Sequence, residues 1–123
     1  MERRLLDDIE SLRQQGYLIE PVPDGQFTAV VFRDVQLPPG YNKQTADLLI
    51  RVPPGYPDAA PDMFWTSPDL LRADGSVPQM ADVMEAYVDR TWRRFSWHRA
   101  RWAPNVDWLG SQLEFAVERL SRL

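Results

Sequence analysis

The sequence predicts an α+β fold, with an amphipathic helix at each end of an antiparallel β-meander. Two observations carry this. Apolar residues recur at helical spacing near both ends, over residues 2–15 and again from Leu109 to Leu120. Between them lie three extended runs joined by short turns, the second especially rich in β-branched and aromatic residues. Sequential strands with short connections pair with their neighbours, and helices kept apart from the strands argue against a parallel sheet. At 123 residues the chain suits one domain, 1–123, large enough for its own core.

Each element has its own signal. In residues 2–15, Leu5, Ile9 and Leu12 form a stripe that Leu6 widens, while Asp7, Asp8 and Glu10 share the polar side with Arg3, Arg4 and Arg13. Gly16 supplies the stop. Tyr17 to Pro21 is the first and weakest strand. Phe27 to Val35 is the second, after the turn Pro23-Asp24-Gly25, and Thr45 to Val52 is the third. A proline-rich loop, Leu37 to Asn42, joins the last two. Pro53 to Pro61 then packs four prolines, a tyrosine and a glycine into nine residues. Each proline fixes φ and removes a donor, so this is a rigid crossover outside any sheet. Met63 to Thr66 reads as a short edge strand. Met80, Val83, Met84, Tyr87 and Val88 follow helical spacing and predict a short helix, with Ser76 and Gln79 as its capping box and Pro78 in its first turn. The last helix carries Leu109, Leu113, Ala116, Val117 and Leu120 on one face, with Asn105 or Asp107 as its cap.

Composition excludes several functions. The net charge is −4, so broad nucleic-acid binding is not expected. Lys43 is the only lysine, and arginines cluster at Arg3-Arg4 and from Arg90 to Arg101. The second cluster reads either as a partner surface or as a solvated face with its stems on tryptophans. There are no cysteines, which removes disulfides, thiolate metal sites and cysteine catalysis together. No apolar run is long enough to span a membrane and no signal-peptide pattern opens the chain, so the expectation is a cytoplasmic protein with no membrane contact. No metal-ligand spacing and no glycine-rich phosphate loop is present, and no cofactor is expected.

Several motifs resemble one family. Pro53, Tyr56, Pro57, Pro61 and Trp65 match the segment after the third strand of ubiquitin-conjugating E2 enzymes, with Trp65 in place of phenylalanine and Ala60 as a departure. Trp102-Ala103-Pro104 is similar to the W-x-P that follows their active-site segment. Asp74-Gly75-Ser76-Val77 resembles the N-G-x-I before their catalytic cysteine, and Pro78 stands where that cysteine would come. The asparagine of their H-P-N motif has no match. Arg90 to His98, with Arg101 to Leu109, is similar to the W-x-R-W-S-R-H…W-x-P-G-x-D-x-L signature of a prokaryotic E2-like family, family E; Phe95, Trp97 and Asn105 depart from it. The resemblance runs over nearly the whole chain. It implies the E2 (UBC-like) fold and a role in a bacterial ubiquitin-like conjugation pathway. Its implied partners are a ubiquitin-like protein, an E1-like adenylating enzyme and a metallopeptidase of the same operon. The E1-like enzyme would meet the first helix at Arg3 and Arg4, and the ubiquitin-like protein the Arg90 to Arg101 surface.

Such an enzyme accepts an activated acyl group and passes it to an amine. Without cysteine the acceptor must be a weaker nucleophile with an adjacent base. His98 is the only histidine, and Ser96 lies two residues before it. In an extended segment both project to one side, so Ser96 is a candidate acceptor, forming an oxyester, with His98 as its base. Asp107 or Asp89 would orient the imidazole. Ser76 is a rival nucleophile. Plainer roles compete: Ser96 bonding backbone, His98 buried among Trp97, Trp102 and Trp108, Ser76 as a cap. The alternative function is a catalytically inactive E2 variant that binds and positions a ubiquitin-like protein or an E1 partner. A third is an interaction domain of the related RWD type.

Overall fold

The computed structural model describes residues 1–123. The N-terminal helix α1 spans Arg3–Gln14 and buries Leu5, Ile9 and Leu12. The carboxylate of Glu2 caps it by accepting from the Leu5 N–H at 3.2 Å. Gly16 at φ +102° lets the chain turn away. Two residues depart from the expected stripe. Leu6 is exposed, and Asp8, assigned to the polar side, is only 7% exposed.

Six strands follow: β1 (Leu18–Asp24), β2 (Phe27–Gln36), β3 (Thr45–Val52), β4 (Phe64–Thr66), β5 (Val83–Tyr87) and β6 (Arg90–Phe95). They form one antiparallel sheet in the order β1-β2-β3-β4-β6-β5. Pro21 and Pro23 fall within β1, which tolerates them because it is an edge strand. The helix α2, Leu109–Leu120, closes the chain. Neither helix is long and apolar enough to cross a membrane.

The segment from Met80 to Val88 is not a helix, and Ser76 caps nothing. Residues 83–95 form a hairpin instead. Its two-residue turn, Val88-Asp89, has both residues at positive φ, 47° and 62°. That is type I′ geometry, ordinarily announced by Asn-Gly or Asp-Gly. A β-branched residue in the left-handed region gives no such announcement.

The sheet separates two cores. α1 and α2 share the larger one with residues such as Phe32, Leu48, Ile50, Phe64 and Phe95. Phe64 and Phe95 stack there at 4.9 Å. On the other face Ala29, Val31, Leu49, Trp65 and Trp92 form a second cluster with no helix over it. Tyr87, Val88, Met63 and Val22 pack at its margin. The Arg51 guanidinium lies between the rings of Phe27 and Tyr87, 4.3 and 4.1 Å from their centroids.

Candidate functional site

The proline crossover between β3 and β4 organises the region that the motifs single out. Tyr56 is buried beneath it. Its hydroxyl donates to Asp8 on α1 and accepts from the Leu109 N–H at 2.7 Å. Asp8 also accepts from Arg4 Nε at 3.0 Å. Burial, and then the hydrogen bond to Asp8, push the Tyr56 phenol well above its usual pKa. Neither Asn105 nor Asp107 caps α2. The tyrosine oxygen serves its first amide from 53 residues away, and Ser111 Oγ accepts from the Trp108 N–H at 3.2 Å. Gly110 is required beside them, because a Cβ there would lie 2.5 Å from the Trp108 ring.

The W-x-P segment clamps the crossover from outside. Trp102 Nε1 donates to the Pro57 carbonyl at 2.7 Å. Asp107 holds this segment instead of the helix, accepting from the Ala103 N–H at 2.8 Å and from Arg99 at 3.4 Å. Asp107→Ala therefore loosens residues 99–107, and we expect a loss of about 1–2 kcal/mol in urea unfolding, with α2 still formed by circular dichroism.

The three candidate nucleophiles and bases have distinct settings. Ser96 follows β6 and is half-buried. Its amide donates to the Met80 carbonyl at 2.9 Å, and its Oγ accepts from Arg94 Nε at 3.0 Å. Arg94 is itself paired with Glu85 at 3.3 Å. His98 is not wedged among tryptophans; it is exposed. Its Nδ1 lies 2.7 Å from Asp62 Oδ1, on the residue after Pro61 in the crossover. Asp107 is engaged elsewhere and Asp89 sits in the hairpin turn, so neither orients this imidazole. Ser96 and His98 thus share a segment but bond to different partners. Ser76 lies apart from them in the exposed loop after Asp74. Its Oγ donates to Asp74 Oδ1 at 2.6 Å, and bonds from the Ser76 hydroxyl and amide hold the Asp74 carboxyl below its usual pKa. Pro78, at the position of the expected cysteine, is buried.

The arginine cluster is largely structural. Arg93 is buried and donates to the carbonyls of Pro68 and Ala81, at 3.0 and 2.7 Å. Arg90 pairs with Asp47 at 3.0 Å and covers Trp92. Arg99 bonds Asp107 and the Ser111 carbonyl. Arg101 is the exposed member whose guanidinium makes no bond within the chain. At α1, Arg3 pairs with Asp7 and Arg4 with Asp8.

Asp62, the partner of His98, and Asp8, the partner of Tyr56, are the two carboxylate contacts that local spacing does not reveal. Asp62 carried a signal in its place, directly after a motif proline, but nothing local tied it to a histidine 36 residues on.

The family model described as prokaryotic E2 family E matches residues 5–122. No curated protein and no solved structure matches the chain.

Proposed function

The chain belongs to prokaryotic E2 family E, and on that premise we propose that it receives the C-terminus of a ubiquitin-like protein from an E1-like adenylating enzyme, as an oxyester on Ser96. The observation that carries this reading is the setting of the segment after β6. There a hydroxyl bonded to an arginine and an imidazole bonded to a carboxylate stand two residues apart.

The chemistry balances with these groups. Ser96 Oγ attacks the carbonyl carbon of a thioester on the E1-like enzyme. The C–O bond forms, the C–S bond breaks, and the thiolate leaves. His98 Nε2 takes the hydroxyl proton and returns it to the departing sulfur. The Arg94 N–H donated to Oγ favours loss of the hydroxyl proton to His98 and, in the second half, departure of that oxygen from the acyl carbon. In the second half an amine attacks the ester carbonyl, the C–N bond forms, the C–O bond to Ser96 breaks, and the proton lost by the amine passes through His98 to the departing Ser96 Oγ. With Nδ1 held by Asp62, Nε2 takes the Ser96 proton through one bridging water.

A second reading, the inactive variant that only positions a ubiquitin-like protein, is favoured by the buried Pro78 and by the separate hydrogen bonds of Ser96 and His98. Ser96→Ala separates the two. Under the first reading it abolishes covalent adduct formation with E1-like enzyme, ubiquitin-like protein and ATP, while pull-down binding persists. If the wild type forms no adduct but still binds, the chain is a positioning protein. A metallopeptidase of the same operon is a further proposed partner, tested in the same pull-down.

A further inference from the structure

Building on the assignment of His98 as a base, we propose that Asp62 is its positioning residue and that the His98–Asp62 pair is what readies the imidazole for proton transfer. The two side chains are 61% and 58% exposed, and Nδ1 lies 2.7 Å from Oδ1. An ionised carboxylate only accepts, so in the neutral imidazole the proton sits on Nδ1. The lone pair is then on Nε2, which bonds nothing in the chain and faces solvent. This is the tautomer a general base needs, with its basic nitrogen open to an incoming group.

The carboxylate is held by a braced backbone. Pro61 before it is buried. After it, the Met63 carbonyl accepts from Gln112 Nε2 of α2 at 2.9 Å, and Phe64 enters β4. Asp62 also lines a groove of about 320 Å³ walled by Phe27, Trp65 and Tyr87 together with the charged Arg51 and Glu85. The pair therefore links a residue on the wall of this groove to the segment carrying Ser96. At this exposure the pair contributes little to stability, whereas a fixed tautomer is what a general base needs.

His98 is the only histidine, so its ring nitrogens give a single set of signals in a long-range proton–nitrogen spectrum of the labelled protein. We expect the neutral ring of the wild type to carry its proton on Nδ1. In Asp62→Asn the side-chain amide donates to Nδ1 and the proton moves to Nε2, while Asp62→Glu keeps the wild-type pattern. With p-nitrophenyl acetate as acyl donor, Asp62→Asn should lose about tenfold or more of the His98-dependent rate, and Asp62→Glu should retain most of it. A wild-type ring protonated on Nε2, an unchanged spectrum in Asp62→Asn, or equal rates in the two proteins would overturn the pair. None of these readouts uses a ubiquitin-like protein. An Nδ1-protonated ring with no covalent adduct would defeat the conjugation chemistry and leave the pair standing. An adduct formed by a protein whose ring is protonated on Nε2 would do the reverse.

Discussion

Replacing Tyr56 by phenylalanine lowers the unfolding free energy by about 2–3 kcal/mol, because one hydroxyl serves two buried groups and both lose a partner together. The Leu109 N–H, the first amide of α2, is left without an acceptor, since no side chain near Trp108 replaces the tyrosine oxygen. The Asp8 carboxylate, 7% exposed, keeps Arg4 but loses a donor within the core. The ring itself still fills its place, so the loss reports the hydroxyl and not a cavity. Urea unfolding of the two proteins measures it, and a difference below about 0.5 kcal/mol would mean that water substitutes freely at this site. The same network gives a pH dependence. A phenol that ionises near pH 10 when unfolded and higher when folded contributes stability that is fully present below pH 10 and declines as pH rises through the folded value. Wild type should lose stability above about pH 10 more steeply than Tyr56→Phe.

Trp92→Ala should cost more, about 3–5 kcal/mol, by opening a cavity that no helix can close. Trp92 is fully buried on the helix-free face, packed with Trp65, Leu49 and Val31. Its Nε1 donates to the Tyr87 carbonyl at 3.1 Å, and the Arg90 guanidinium sits 4.0 Å above its ring. Removing it therefore takes away the filler of the outer cluster and the brace of the β5–β6 hairpin at once. Hydrogen exchange should locate the damage in residues 83–95, with α1 and the β2–β3 pairing retained. Uniform loss of protection over the whole chain would mean that the two cores are one cooperative unit.

These two residues also mark where sequence reasoning reached and where it stopped. The stripe of Leu5, Ile9 and Leu12, the strands β2 and β3, and the face of α2 repeat an apolar pattern within a short window, and local periodicity fixes them. The hairpin hid because Met80, Val83, Met84 and Tyr87 happen to fall at helical intervals, and because its turn is Val-Asp where glycine or asparagine would have announced it. β6 hid because the arginines of Arg90-Thr91-Trp92-Arg93-Arg94-Phe95 read as a partner surface or a solvated face, although Arg93 is buried with backbone carbonyls as partners. The candidate site was half legible. The segment with Ser96 and His98 could be picked out from residue types and from its likeness to family E. The partners of those residues could not, since Asp62 meets His98 across 36 positions and Tyr56 meets Leu109 across 53. Such contacts are products of the tertiary fold and leave no trace in local spacing.

Acylation of Ser96 in a chain without cysteine is directly observable. Intact-protein mass spectrometry of the chain mixed with the E1-like enzyme, the ubiquitin-like protein and ATP of its own pathway tests it most directly. The expected product is a one-to-one adduct that survives thiol reductant, is released by mild hydroxide, and maps by fragmentation to Ser96. An adduct on another residue, or none from a mixture in which the E1-like enzyme is charged and the complex is intact, would contradict it.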